Sequence, residues 1–197
     1  MNKINCLLCG VGGQGTVLAS KLIALCAINQ GMSALTAETI GMAQRGGSVV
    51  SHVRIGNELH APMIPLGEAD IIIAFEPGEA VRNIEYLKKG GTIIVNTKAV
   101  MPITAALGMH YDGAEMLSFL HKLDCNVVEV DGERICRELG SAKILNVVLL
   151  GAAAKSGVLG LTIEQLEEAV RTKLNPKFID LNCKALHGMP SKAADGS

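Results

Sequence analysis

The sequence predicts an α/β fold: three α/β/α layers built on a Rossmann-like parallel sheet, with an inserted β-hairpin and a helical C-terminal part. Three observations carry this expectation. Short, almost wholly apolar runs alternate with amphipathic stretches, as parallel strands alternate with crossover helices. A glycine-rich turn, CGVGGQGTVLASK (residues 9–21), joins the first apolar run to the first amphipathic one. The last third of the chain reads as helical.

Taken in order, residues 3–9 read as a buried strand. Residues 15–30 read as a helix, because Val17, Leu18, Leu22 and Leu25 with Ala19, Ile23 and Cys26 form a broad apolar stripe; Gly31 ends it. SALTAET (33–39) is a second strand, and IGMAQRGG (40–47) has no clear period. SVVSHVRI (48–55) alternates as a strand does, Gly56-Asn57 signals a two-residue hairpin turn, and ELHA (58–61) is the expected return strand, closed by Pro62 and Pro65. If 48–55 is regular, Ser48, Val50, His52 and Arg54 share one face.

The parallel rhythm resumes at ADIIIAFE (69–76). Pro77 suits the first turn of a helix expected to reach about Lys88. Gly90-Gly91 turns the chain into TIIVNT (92–97), a short helix is expected over 113–123, and CNVVEVD (125–131) is the last strand. AKILNVVLLGAAAK (142–155) is apolar on nearly every side, so it is buried all round or pressed against another subunit. Residues 162–174 carry a capping box, Thr162 with Gln165, a Leu161–Leu166 staple, and a stripe of Ile163, Leu166, Val170 and Leu174.

The chain has 197 residues, enough for one domain with a full core, taken here as 1–190, with a polar tail at 191–197 expected to be mobile. Aromatic residues make up 3% and Trp is absent, so the core must be aliphatic. A net charge of −1 gives no field to attract nucleic acid or an anionic membrane. No apolar run reaches the roughly 20 residues of a membrane helix. The opening MNKINCLLCGVGG does not read as a signal peptide, and a cytoplasmic protein with reduced thiols is expected. Cys6 and Cys9 form a C-x-x-C, but residues three apart in a strand face opposite ways, so they read as small buried hydrophobes.

Gly10, Gly12 and Gly15 fit G-x-G-x-x-G. Such a turn lets backbone approach a ligand, and the helix that follows aims free N–H groups and partial positive charge at the same spot, which suits a diphosphate. Glu38, 23 residues past Gly15, stands where a dinucleotide fold keeps its ribose-binding acid. A Walker loop is excluded, since Thr16 and Val17 replace the required Lys and Ser/Thr. GMAQRGG (41–47) should reach the same crevice, where Gln44 offers an amide, Arg45 a guanidinium fork, and Gly46 and Gly47 backbone freedom.

GVGGQGTVLASK followed by GMAQRGGSVVSHVRIG, EADIIIAFEPGEAVR and GGTIIVNT closely resembles the gamma-type domain of the 2-oxoacid:ferredoxin oxidoreductases, over roughly residues 3–175. Length and the GMAQRGG wording are most similar to the small (beta) subunits of the indolepyruvate-type members. The resemblance implies a component of an enzyme that takes an aryl-pyruvate, coenzyme A and oxidised ferredoxin, and releases carbon dioxide, an aryl-acetyl-CoA and reduced ferredoxin. Thiamine diphosphate with Mg²⁺ and 4Fe-4S clusters would serve that chemistry.

The cysteines at 6, 9, 26, 125, 136 and 183 offer no cluster-binding run, and no G-D-G occurs. These cofactors are therefore expected on a large catalytic (alpha) subunit, with ferredoxin reached through the complex and none bound by this chain alone. Gly10, Gly12, Gly13, Gln14 and Gly15 are expected to hold the coenzyme A diphosphate or to shape its channel. Gln44, Arg45, Gly46 and Gly47 would complete the active-site entrance across the subunit boundary. His52 is a candidate neighbour of that site or a packing residue of the hairpin, and His60, His110, His121 and His187 show no metal-ligand spacing. Two alternatives stay open: a stand-alone Rossmann-type oxidoreductase binding NAD(P) or FAD, and an interaction protein that kept the fold without the chemistry.

Overall fold

The computed structural model describes residues 3–40, 47–101 and 111–188. Its strands are β1 (Ile4–Val11), β2 (Ala34–Ile40), β3 (Ser48–Ile55), β4 (Ala69–Ala74), β5 (Leu87–Asn96) and β6 (Asn126–Val130). Its helices are α1 (Thr16–Asn29), α2 (Pro77–Arg82), α3 (Gly113–Leu120), α4 (Gly132–Glu138), α5 (Leu145–Lys155), α6 (Ile163–Lys173) and α7 (Pro176–His187). The strands form one sheet in the order β2-β3-β1-β4-β5-β6.

The three-layer α/β/α arrangement is as expected. One face of the sheet presents Cys6, Leu8, Val53, Ile71, Ile73 and Ile94 to a core shared with α1, α4, α5, α6 and α7. The other presents Leu7, Cys9, Ile72, Ile93 and Val95 toward Ala80 of α2 and Leu120 of α3. Cys6 and Cys9 thus lie on opposite faces, both fully buried. Burial raises both thiols well above their ordinary range, with Asp70 adding for Cys6 and Glu79 and then Glu76 for Cys9.

The expected inserted hairpin is corrected. β3 lies inside the sheet, antiparallel to β1 on one side and to β2 on the other, so the sheet is mixed. Residues 58–61 form no strand. The reason is competition for partners. SVVSHVRI pairs along its whole length with β1 and from Val49 to Ile55 with β2, and buries Val49, Val53 and Ile55. ELHA is short and polar, with Glu58 at φ +57° and Pro62 just beyond. That segment is held by side chains of β3: Arg54 donates to the carbonyls of Ala61 (2.8 Å) and Met63 (3.3 Å), and His52 Nδ1 accepts from the Ile64 amide at 3.2 Å.

Two boundaries also shift. The helix opened by Pro77 stops at Arg82, and β5 begins at Leu87 after a 3₁₀ turn over Ile84–Tyr86. The apolar helix expected at 142–155 is a 3₁₀ turn, Ala142–Ile144, running into α5. α5 is buried by its own chain, against the sheet, α1, α4, α6 and α7. At Gly151 the α7 backbone comes so close that a Cβ would stand 2.0 Å from the Leu186 carbonyl oxygen. The Thr162–Gln165 capping box is formed on α6.

Candidate functional site

β1, β4 and β5 run parallel, and the order β2-β3-β1-β4-β5-β6 changes direction at the β1/β4 boundary. The crevice outside the C-terminal ends of strands at such a switch is the usual ligand site of open α/β sheets. The glycine loop leaves β1 there. Gly10 serves close packing: a Cβ on it would meet Gln14 Oε1 at 2.7 Å and Phe75 Cβ at 2.8 Å. Gly13 has φ +102° and open space around it, and Gly15, at φ +88°, is the N-cap of α1. Among the described residues no side chain caps α1, so its first-turn amides are open toward the crevice.

Gln14 braces the loop. Its Oε1 accepts from the Val11 amide at 2.7 Å, and its Nε2 donates to the Phe75 carbonyl at 3.2 Å. Asn96, the last residue of β5, donates to the same carbonyl at 3.2 Å and accepts from the Gly132 amide at 3.1 Å. The ends of β1, β4 and β5 and the start of α4 are thereby tied together. Asn146 lies behind the loop, 3.4 Å from the Gly15 carbonyl through Nδ2, and its Oδ1 is buried with no partner among the described residues.

β3 begins at this same end, since Val11 pairs with Ser48. The Gly12 amide donates to the Gly47 carbonyl at 2.8 Å, so the glycine loop and the residue that leads into β3 are in contact. Gln44, Arg45 and Gly46 lie outside the described residues. Ser48 donates to Glu79 Oε2 at 2.5 Å. Glu76 caps α2 by accepting from the Glu79 amide at 2.9 Å, and also accepts from the Tyr111 hydroxyl. Burial, and then that bond to Glu76, push the Tyr111 hydroxyl far above its usual range.

His52 is not brought to this crevice. It stands four residues along β3 from Ser48, about 13 Å at strand spacing. It is 1% exposed, its ring edges against Tyr86 at 5.4 Å, and burial lowers its proton affinity. It packs and holds the 61–64 segment. Ser48, His52 and Arg54 do share the α2 side, as the alternation predicts. Glu38 is displaced as well: β3 occupies the place beside β1, leaving β2 two strands away, and Glu38 Oε1 faces Ser20 Oγ at 3.5 Å. Glu38 therefore does not sit on the strand next to β1, where a dinucleotide site keeps its acid.

Glu76, Glu79, Asn96, Asn146 and Tyr111 were not singled out from sequence. Glu76 follows the apolar run IIIAF (71–75) and Asn96 the run IIV (93–95), and that abrupt change to a polar residue is the signal that could have found them. Between the glycine loop and α4 opens a cavity of about 490 Å³, lined by Gln14, Asn96, Lys98, Arg137, Ser141 and Leu145 among others. Among the described residues no group of three or more His, Cys, Asp or Glu is placed to hold a metal. His121 and His187 pair with Glu129 (2.7 Å) and Glu167 (2.8 Å) at the surface.

The fold and crevice define a Rossmann-like α/β domain with a glycine-loop site at its switch point. The family model for pyruvate ferredoxin/flavodoxin oxidoreductase matches residues 5–188, and the chain belongs to that family. It is similar to the indolepyruvate oxidoreductase subunit IorB of Archaeoglobus fulgidus, at 40% identity over 98% of this chain and 97% of that one. The subunit of the same name from Pyrococcus horikoshii is 36% identical over 94% and 93% of the two chains. A solved structure, the gamma subunit of a keto/oxoacid ferredoxin oxidoreductase from Geobacter sulfurreducens, superimposes with a TM-score of 0.68 at 25% identity, covering 93% of this chain and 94% of that one. The stand-alone dinucleotide enzyme finds no support in these likenesses. No described helix is long and apolar enough to cross a membrane.

Proposed function

We propose that this chain is the small subunit of an aryl-pyruvate:ferredoxin oxidoreductase, with indolepyruvate as the model substrate. The observation that carries the reading is the 40% identity to an IorB subunit across 97% of its length. The assembled enzyme would convert the 2-oxoacid and coenzyme A to an acyl-CoA, releasing carbon dioxide and passing a pair of electrons to ferredoxin.

The described residues do not fit the redox groups. A cluster needs converging thiolates, whereas Cys6 and Cys9 face apart and every described cysteine has its thiol raised by burial. No step is assigned to this chain through thiamine diphosphate, Mg²⁺ or 4Fe-4S; the large alpha subunit holds them in this reading. The part left to the small subunit is binding. Gly13, Gly15 and the uncapped start of α1 suit the diphosphate of coenzyme A. Gln14 and Gly10 shape that loop, and Gly12 joins it to Gly47. Gln44, Arg45 and Gly46 complete the entrance toward the alpha subunit, with Arg45 as the cation for substrate carboxylate or phosphate.

The test is co-expression with a candidate large subunit and an assay of aryl-pyruvate-dependent, coenzyme A-dependent ferredoxin reduction. Activity that needs both chains is the expected result. In the assembled enzyme Arg45→Ala should raise the KM of coenzyme A or oxoacid, or lower turnover. Unchanged constants would remove the role of Arg45, and NADH-dependent activity of the chain alone would remove the whole reading.

A further inference from the structure

We propose that Glu79 is a positioning residue of the glycine loop: from α2 it holds Ser48, and through the adjoining Gly47 carbonyl it fixes Gly12. The consequence for coenzyme A rests on the reading of the loop as the seat of its diphosphate; the mechanical link does not.

Three observations lead to this role. The first is a buried carboxylate that its own helix does not need. Glu79 is 6% exposed, yet α2 is already capped by Glu76, which accepts from the Glu79 amide at 2.9 Å. Taking a carboxylate out of water is costly unless its oxygens find donors. Both do: Oε1 accepts from Arg82 Nε at 3.2 Å, and Oε2 from the Ser48 hydroxyl at 2.5 Å. The second is where that hydroxyl stands. Ser48 is the first residue of β3 and pairs with Val11, the last of β1. Its bond therefore ties the start of a strand to a helix 31 residues further on. The third is what adjoins this pair. Gly47 precedes Ser48, Gly12 follows Val11, and the Gly12 amide donates to the Gly47 carbonyl at 2.8 Å. Glycine loses more freedom on ordering than any other residue and has no side chain to lock it. Gly13, next in the loop, has open space where a Cβ would stand. The loop is thus braced from both strands that flank β1. Gln14 reaches Phe75, just past the end of β4, and Gly12 reaches Gly47, just before β3, where Glu79 anchors the chain.

The experiment compares Glu79→Ala, Ser48→Ala, Ser48→Thr and Arg82→Ala. The first two remove one end each of the anchoring bond, and Ser48→Thr restores a hydroxyl. Arg82→Ala takes away the other donor to Glu79 from an exposed position and leaves the Ser48 bond in place. Two readouts are taken: amide hydrogen exchange of Gly12 in the full chain, with Leu8 inside β1 as the reference, and KM and kcat for coenzyme A in the two-subunit enzyme. Glu79→Ala and Ser48→Ala should each speed Gly12 exchange relative to Leu8 by about two- to tenfold, the net worth of one hydrogen bond. The KM of coenzyme A should rise by a similar factor with kcat unchanged, as when binding common to ground and transition states is lost. Ser48→Thr and Arg82→Ala should match the wild type in both readouts. Should Glu79→Ala fail to fold, the Ser48 variants decide. Gly12 protection that survives Ser48→Ala, an acceleration that Leu8 shares in full, or an equal effect of Arg82→Ala overturns the proposal. So does an unchanged KM in an enzyme that turns over coenzyme A, while the subunit assignment stands. If the wild-type complex shows no turnover dependent on coenzyme A, the underlying assignment fails. Gly12 exchange then decides alone whether Glu79 fixes the loop.

Discussion

Gln14, in the loop after β1, and Asn96, at the end of β5, donate their side-chain amides to one acceptor, the carbonyl of Phe75, each at 3.2 Å. Each amide uses its oxygen as well, Gln14 for the Val11 amide and Asn96 for the Gly132 amide. The floor of the crevice is therefore a hydrogen-bonded unit and not a set of separate loops.

Removing either amide leaves a backbone donor unpaired, the part-buried Val11 amide or the buried Gly132 amide. Gln14→Ala and Asn96→Ala should each destabilise the chain by about 1–3 kcal/mol. Because they share Phe75, the double variant should deviate from additivity by roughly 0.5 kcal/mol or more. Urea unfolding of the two single variants and the double variant measures this; strict additivity would mean that the shared carbonyl does not couple them.

Glycines of the chain should differ by mechanism. Gly151→Ala sets a Cβ 2.0 Å from the Leu186 carbonyl oxygen, so α5 and α7 must separate. A loss of about 3 kcal/mol is expected, the upper end of ordinary overpacking. Gly13→Ala meets open space and is penalised only through its φ of +102°, by about 1–2 kcal/mol. Thermal unfolding that ranked Gly13→Ala as the worse of the two would contradict the packing described for α5 and α7.

His52 makes stability depend on pH in a defined direction. Burial lowers its proton affinity in the folded state, where the neutral ring accepts from Ile64. As pH falls the unfolded chain takes the proton first. The contribution is thus complete above the ordinary histidine value, about 6.5, and erodes as pH drops below it toward the depressed folded value. In His52→Phe this slope should disappear, and stability at pH 8 should fall by about 1–3 kcal/mol through the unpaired Ile64 amide. Denaturant midpoints of both proteins between pH 5 and 8 decide the matter; parallel curves would show that His52 does not titrate on unfolding.

The thiols should be chemically quiet. Cys6 and Cys9 are fully buried, and burial pushes Cys26 up to about 11. Native-state alkylation at pH 8, read by mass spectrometry, should leave Cys6 and Cys9 unmodified until the chain unfolds. Labelling of either at the rate of a free thiol would show that the central strand is accessible.

Much of this architecture was legible because local chemistry and tertiary packing agree. β1, β4 and the core of β5 are apolar runs with no competing structure, and the Thr162–Gln165 box fixes the start of α6. β3 was legible as a strand but not in its place, because alternation reveals a half-buried strand and does not name its neighbours. The Gly56-Asn57 signal pointed to a hairpin that loses to the longer ladder β3 makes with β1. The glycine loop could be read from its spacing. The bracing by Gln14 and Asn96 could not, because it joins residues 82 positions apart through the carbonyl of a third. α4, which walls the cavity, was missed because its seven residues are too few to show a period.

The central position of β1 has a consequence for biogenesis. A chain that has left the ribosome only as far as Ile55 already holds every partner of β1 on one side, through β3, and none on the other. Until Ala69–Ala74 emerges, the ladder edge through Cys6, Leu7 and Leu8 is an open template for foreign strands. Synthesis of residues 56–74 is therefore the interval in which a chaperone matters most. In the complete fold Arg54 and His52 hold residues 61–64, the stretch that leads on to β4.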